Sequence, residues 1–261
     1  MSRFLHLSDI HFGGENVPAV AAAMDYAHAN PVDLIIITGD LTQFGLPEEF
    51  AAAARWLAQL PGARLVAPGN HDSPYFDVVD RLVRPFGRFA GAIGPPDAIR
   101  AAQPGYRVYG ANTARGVQIR LNWSKGAISS GQVRHAADWL DEAAPGDLRI
   151  FAGHHPLTEV TGGPMTGRVR GGTAAARRLA EARVDLVLTG HVHIPFAHPF
   201  AFGDGRTYAV GASTLSVRLR GAPPGFNLIE TDPETLQVTA LGWTGSHLEP
   251  HKTWALPRRA G

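Results

Sequence analysis

Five short apolar runs, each stopped abruptly by a turn rich in Gly, Asp, Asn or His, constrain this chain more than any other feature of its sequence. They are residues 4–8 before Asp9, 34–38 before Gly39-Asp40, 64–67 before Pro68-Gly69-Asn70, 148–152 before Gly153-His154, and 186–189 before Gly190-His191. Runs this short, rich in Ile, Val and Leu and without alternation of polar residues, read as strands buried on both faces. Helical patterns lie between them. Residues 17–29 are Ala-rich, 48–60 set Phe50, Ala54, Leu57 and Leu60 at helical spacing, and 130–143 and 173–183 also read as helices. The alternation implies an α/β fold with a largely parallel sheet. The pattern changes after residue 195: 196–202, 206–210, 226–231 and 237–243 look like strands joined by turns with no helix between. The expected architecture is one domain over residues 1–261, a four-layer αββα sandwich of two mixed sheets flanked by helices. Residues 1–195 would form its motif-bearing α/β part, and 196–250 a β-rich part supplying the second sheet. Residues 91–96, 161–172 and 221–225 read as surface loops, and the tail from His251 as peripheral.

Composition narrows the chemistry. Of 261 residues 44% are hydrophobic, enough for a large core. There is no cysteine, which excludes disulfides and thiolate metal sites, so any metal must be held by imidazole, carboxylate or amide oxygen. The net charge of +1 gives no electrostatic footprint for nucleic acid or a membrane surface, while leaving room for a small anionic substrate. The apolar runs are strand-sized, so no membrane span is expected. The N-terminus lacks the apolar core of a signal peptide, and the expected location is the cytoplasm.

In open α/β sheets ligands bind at the carboxyl ends of the strands, and every one of the five ends carries metal-binding side chains. These are Asp9 and His11, Asp40, Asn70 with His71 and Asp72, His154 and His155, and His191 and His193. Of twelve histidines in the chain, those six (His11, His71, His154, His155, His191, His193) collect at these few positions. Asp9-x-His11 and His191-x-His193 are i, i+2 pairs just past a strand, where both side chains can converge on one point. The set exceeds what one ion needs, so two metals sharing a carboxylate are expected, with Mn, Fe, Zn or Co suited to the donors. Two such ions can stabilise the attacking and leaving oxygens of a phosphoryl displacement.

In order and strand context, Asp9-Ile10-His11, Gly39-Asp40, Gly69-Asn70-His71-Asp72, Gly153-His154-His155-Pro156 and Gly190-His191-Val192-His193 resemble the calcineurin-like metallophosphoesterase superfamily. Within it, the short chain and the segment Asn112-Thr113-Ala114-Arg115, with Lys125-Gly126, Gln132 and Trp139, are most similar to bacterial cyclic-nucleotide and glycerophosphodiester phosphodiesterases. The resemblance implies that Asp9, His11 and His193 hold one metal, Asn70, His154 and His191 the other, and Asp40 bridges. It implies a metal-bridging water or hydroxide as nucleophile. His71 would act as general acid or stabilise charge on the transferring group, and Asp72 would orient His71 or a ligand. His155 reads either as an orienting neighbour or as a substrate contact. Arg115 and Tyr75, with Phe76, Arg81 and Trp123, are candidates for the substrate rim, and residues 161–172, with Met165, Arg168 and Arg170, for a lid. The expected activity is hydrolysis of a small phosphodiester. A phosphomonoesterase or a nucleotide or lipid-precursor pyrophosphatase on the same site is the alternative, ahead of a nuclease or a non-catalytic scaffold. A homodimer through an edge strand or the late β-rich segment is also envisaged.

Overall fold

The runs are predominantly apolar because most of these strands bury two different surfaces. The structure is a computed structural model describing residues 1–119, 122–159 and 169–259. β1 (Ser2–Leu7) is followed by α1 (Val17–Ala29), β2 (Leu34–Thr38), α2 (Pro47–Gln59) and β3 (Arg64–Ala67), and the three strands pair in parallel. Leu5, Leu7, Ile35 and Ile37 pack against Val20 and Ala23 of α1 and Phe50 and Leu57 of α2. Their neighbours Phe4, Leu34 and Ile36 face the other way, into a layer shared with a second sheet. The Asn16 side chain caps α1 by accepting from the Ala19 amide at 3.1 Å.

Two six-residue helices, α3 (Val78–Val83) and α4 (Gly87–Ala92), lead into the second sheet. It comprises β4 (Ile99–Gln103), β5 (Tyr106–Gly110), then after α5 (Ser130–Asp141) β6 (Leu148–Ala152), and after α6 (Gly172–Glu181) β7 (Leu186–Thr189), β8 (Phe196–Pro199) and β9 (Tyr208–Gly211). Its strand order is β4-β5-β6-β7-β9-β8. Phe151 and Val187 meet α5 and α6, while Ile150, Leu186 and Leu188 turn inward to Phe4, Leu34 and Ile36. The layers are therefore helices, sheet, sheet, helices.

The last quarter does not build the second sheet by itself, contrary to the sequence expectation. β8 and β9 finish the second sheet, whereas β10 (Gly225–Thr231), β11 (Thr235–Trp243) and β12 (Leu248–Pro257) extend the first, in the order β12-β11-β10-β1-β2-β3. The late strands are divided because β10 pairs antiparallel with the edge that β1 leaves open, and β9 pairs parallel with β7. The tail is not peripheral either: β12 pairs along all of β11, and Arg259 beyond it, half-buried, is held by Asp185, Asp204 and Thr207. Parallel pairing brings the carboxyl ends of β1, β2 and β3, and of β5, β6, β7 and β9, to one edge of the sandwich.

Candidate metal centre

Each strand stops where its last residues must turn sharply toward that edge. Among the described residues seven non-glycine positions have positive φ, and five of them are Asp9, His11, Asp40, His191 and His193, at φ from 51° to 68°. This left-handed conformation costs about 1 kcal/mol or more for a residue with a Cβ and persists only where surrounding structure enforces it. Backbone bonds enforce it here: the Asp9 amide donates to the Gly39 carbonyl at 3.0 Å, His11 to Asp40 at 3.0 Å, and Gly190 to His154 at 2.9 Å. Glycine is required where these turns touch. A Cβ at Gly69 would overlap the Asp40 carboxylate, and one at Gly190 the Ser8 hydroxyl and the Asp9 carboxylate.

The side chains so aimed are almost wholly shielded from water: Asp9, His11 and His154 are 0% exposed, Asp40 1% and His193 2%. His193 Nε2 lies 3.0 Å from Asp9 Oδ1, His154 Nε2 3.2 Å from Asp40 Oδ2, and His11 Nε2 3.7 Å from Asp40 Oδ2 and 3.8 Å from Asp9 Oδ1. Outer partners fix which nitrogen points inward. His154 Nδ1 donates to the Thr38 carbonyl at 2.7 Å and His193 Nδ1 to the Arg218 carbonyl at 2.7 Å, so both Nε2 atoms face the carboxylates. Second bonds secure the carboxylates: Asp40 Oδ1 accepts from the His71 amide and Asp9 Oδ2 from the His191 amide, both at 2.8 Å.

What the cluster lacks is as informative as what it has. Asp9 Oδ1, both His11 ring nitrogens, Asn70 Oδ1 and His154 Nε2 are buried without a hydrogen-bond partner. Leaving one such atom unsatisfied costs about 1–3 kcal/mol, so Asp9 Oδ1, His11 Nε2 and His154 Nε2, in groups whose ligand atoms lie within 4.8 Å of one another, imply a partner from outside the chain. Electrostatics agree. Burial opposes charge on Asp9 and Asp40, yet the surrounding histidines hold both carboxyls well below the usual range. Burial likewise opposes a proton on His154, but Asp40 and Asp9 override it and push the imidazole up to about 9. The site draws in positive charge, and divalent cations would satisfy carboxylates and inward-facing imidazoles together. The residues present fit metal ions: Asp9, His11 and His193 form one group of closely spaced ligand atoms, Asp9, Asp40 and His154 another, and His154 and His191 belong to a third.

Residues 2–195 match the sequence model of the calcineurin-like phosphoesterases. The chain belongs to that family. It is a metal-dependent phosphoric ester hydrolase, with His/Asp clusters that suggest a dinuclear centre. It is 25% identical over 237 residues to a probable cyclic nucleotide phosphodiesterase of Synechococcus sp., covering 88% of this chain and 84% of that one. In fold it is similar to a dimetal phosphatase from Danio rerio, with a TM-score of 0.69 at 11% identity over 99% of each chain. A purple acid phosphatase from yellow lupin (Lupinus luteus) matches with a TM-score of 0.66 at 15% identity, over 98% of this chain and 54% of that one.

Around the ligand cluster, this phosphoesterase departs from several expectations. Asp72 does not orient the His71 ring. Its carboxylate accepts from the Thr42 and Gly69 amides, each at 2.9 Å, and so clamps two strand-end loops together; burial and then Asp40 push its pKa up to about 6. Of the two readings of His155, the orienting neighbour fits the geometry: it is 1% exposed and both ring nitrogens are taken, Nδ1 by the Thr113 hydroxyl at 2.9 Å and Nε2 by the Ser124 carbonyl at 2.8 Å. Arg115 is also turned away, its guanidinium donating to the Asn112 and Ala114 carbonyls and to Gln132 Oε1. Residues 160–168, and with them Met165 and Arg168 of the expected lid, lie outside the described residues.

His71 and Tyr75 do meet, in a cleft of about 550 Å³ lined also by Asn70, Val78, Arg81 and Trp123. The Arg81 guanidinium lies over the Trp123 ring at 5.5 Å. One neighbour escaped the sequence: Arg218, whose Nη1 donates to His71 Nε2 at 3.1 Å while His71 Nδ1 donates to the Gln43 carbonyl at 2.7 Å. His71 is thus a neutral ring with its lone pair toward Arg218, and burial lowers its pKa further in that direction. The signal that would have found Arg218 is the end of β9, a further parallel strand terminating at this edge, whose following loop also supplies Thr214 to the Asp9 carbonyl.

Proposed function

We propose that the protein hydrolyses a small phosphodiester, with Asp9, His11 and His193 holding one metal ion, Asn70, His154 and His191 a second, and Asp40 shared between them. The observation that carries this reading is the gathering of ligand atoms of Asp9, His11 and His193, and of Asp9, Asp40 and His154, within 4.8 Å of one another in each group, with Asp9 Oδ1, His11 Nε2 and His154 Nε2 buried and without a hydrogen bond. When bound, two such cations supply Lewis-acid charge to the phosphoryl oxygens and acidify water. Mn, Fe, Zn or Co fit the mixed imidazole and oxygen donors.

The chain's own residues do the rest. Asp40 and Asp9 are held ionised, and Thr38 and Arg218 fix the imidazoles of His154 and His193 for binding cations. Arg218 and His71 stand together beside Asn70 and present a guanidinium to the anionic phosphate. In the tautomer present, Nε2 of His71 carries no proton to give a leaving alkoxide. It acts as an acid only after taking up a proton, and otherwise positions Arg218. The cleft beyond His71 offers room for a second ester group, and the cyanobacterial relative's description is consistent with a diester.

The test is turnover of bis(p-nitrophenyl) phosphate with Mn²⁺, beside p-nitrophenyl phosphate, before and after chelator. Diester turnover above monoester turnover, lost on chelation and reduced at least about a thousandfold by Asp40→Ala, is expected. Monoester turnover with an inert diester moves the substrate class. Diester turnover that survives both chelator and Asp40→Ala contradicts the assigned site.

A further inference from the structure

We infer that the face of α3 is a docking surface for an alkyl or acyl chain on the substrate, so that the preferred phosphodiester is an amphiphile. This rests on the phosphodiesterase reading of the same site and names the class of one ester group. Surface helices turn apolar residues inward and polar ones out; α3 does the reverse. Its one buried residue is charged: Arg81 is 8% exposed and donates to the Gly116 and Pro74 carbonyls, while the half-buried Asp80 and the exposed, capping Asp77 are held by Arg88. Its outer side is apolar, with Val78, Val79, Leu82 and Val83 between 54% and 72% exposed.

The apolar surface continues through Tyr75 and Phe76, 57% and 66% exposed, which form a ring cluster with Phe44 at centroid separations of 5.1 to 5.6 Å. A helix fixed by five side-chain hydrogen bonds in this orientation presents a preformed apolar face, and contiguous exposed apolar surface marks a binding site.

Position identifies the occupant. Tyr75 and Val78 belong both to this face and to the cleft that opens on Asn70 and His71, so the apolar strip begins at the phosphate position and leads away along about 9 Å of helix. Across the same site Val217 and Leu219, 64% and 50% exposed, flank Arg218. A second copy of the chain seated on α3 would cover the mouth of the cleft. A phosphodiester with one long hydrocarbon arm would fill both parts at once, its anionic centre at Arg218 and its chain on α3.

The experiment is a series of p-nitrophenyl alkyl phosphodiesters with methyl, butyl and octyl arms, all kept below micelle-forming concentrations so that single molecules are read. Each methylene fully withdrawn from water is worth about fourfold in binding, and a half-covered chain about half that in free energy. The octyl diester, with seven more methylenes, should therefore exceed the methyl diester in kcat/KM by about a hundredfold. The ratio should fall toward unity in Val79→Asp/Leu82→Asp, two changes at exposed positions. Calorimetric binding of the same pair reads the preference without turnover. A missing hydrolysis would thus sink the proposed function while tighter octyl binding still supported the apolar face. Equal kcat/KM or equal affinity for methyl and octyl arms overturns the inference and leaves a hydrolysed bis(p-nitrophenyl) phosphate untouched. Light scattering that shows a dimer made monomeric by the double variant, with the octyl-to-methyl ratio unchanged, overturns it in favour of a second copy.

Discussion

The two edges of the sandwich carry charge in opposite states of completion. At the amino ends of β7 and β9, Arg259 donates to Asp185 Oδ1 at 2.8 Å, to Asp204, to the Thr207 hydroxyl at 2.8 Å and to the Arg183 carbonyl. Charge meets charge, and the group ties the end of the chain to the sheet. At the carboxyl ends, Asp9, Asp40, His11, His154 and His193 are buried more deeply, yet Asp9 Oδ1, His154 Nε2 and both His11 nitrogens find no hydrogen bond. The difference shows that buried charge alone does not mark function. A cluster that satisfies itself is structural, and one that leaves gathered, buried ligand atoms without hydrogen bonds requires a partner from outside the chain.

Removing charge from each end should therefore have different consequences. Arg259→Ala strands a carboxylate that is 9% exposed and should lower unfolding free energy by about 3 kcal/mol, while metal binding and turnover per folded molecule stay at the wild-type level. Urea unfolding beside a Mn²⁺ titration checks both halves. A loss of metal affinity in this variant would break the separation of the two ends.

A smaller effect comes from His6, which lies on the strand leading to Asp9 but is complete like the amino-end group. Its Nε2 donates to the Thr38 hydroxyl at 3.0 Å and its Nδ1 accepts from Asn227 at 3.2 Å. Burial, against a weaker pull from Asp9, brings its pKa down from 6.5 to about 3. The folded chain therefore refuses a proton that the unfolded chain accepts. The neutral ring's contribution is whole above pH 6.5 and is lost as the pH falls toward 3. Between pH 7 and 5 the wild type should lose about 2 kcal/mol more than His6→Gln. Parallel pH profiles for the two would show that His6 is not held neutral.

Much of this was legible because burial on both faces writes a strand as a short, mainly apolar run. Residues 34–38, 64–67, 148–152 and 186–189 coincide with β2, β3, β6 and β7. β4 was not legible, since Ile99–Gln103 is a half-exposed edge strand of Arg, Ala and Gln with no apolar alternation. α3 and α4, six residues each, are shorter than the window over which helical periodicity becomes visible, and the inverted polarity of α3 disguises it further. At the site, the residues adjoining strand ends were readable because chain direction alone brings them together. Side-chain direction was not: His155 follows His154 immediately, yet its ring turns to Thr113 and Ser124. Arg218 meets His71 across 147 residues, a contact no spacing encodes.

The most direct test of the central claim is to count the metal. Protein dialysed to equilibrium against Mn²⁺ should carry two ions per chain, and Asp40→Ala, with an unchanged circular dichroism spectrum, one or none. A wild type that binds no ion, or an Asp40→Ala variant that binds as many as the wild type, would contradict the assignment of this strand edge as a dinuclear centre.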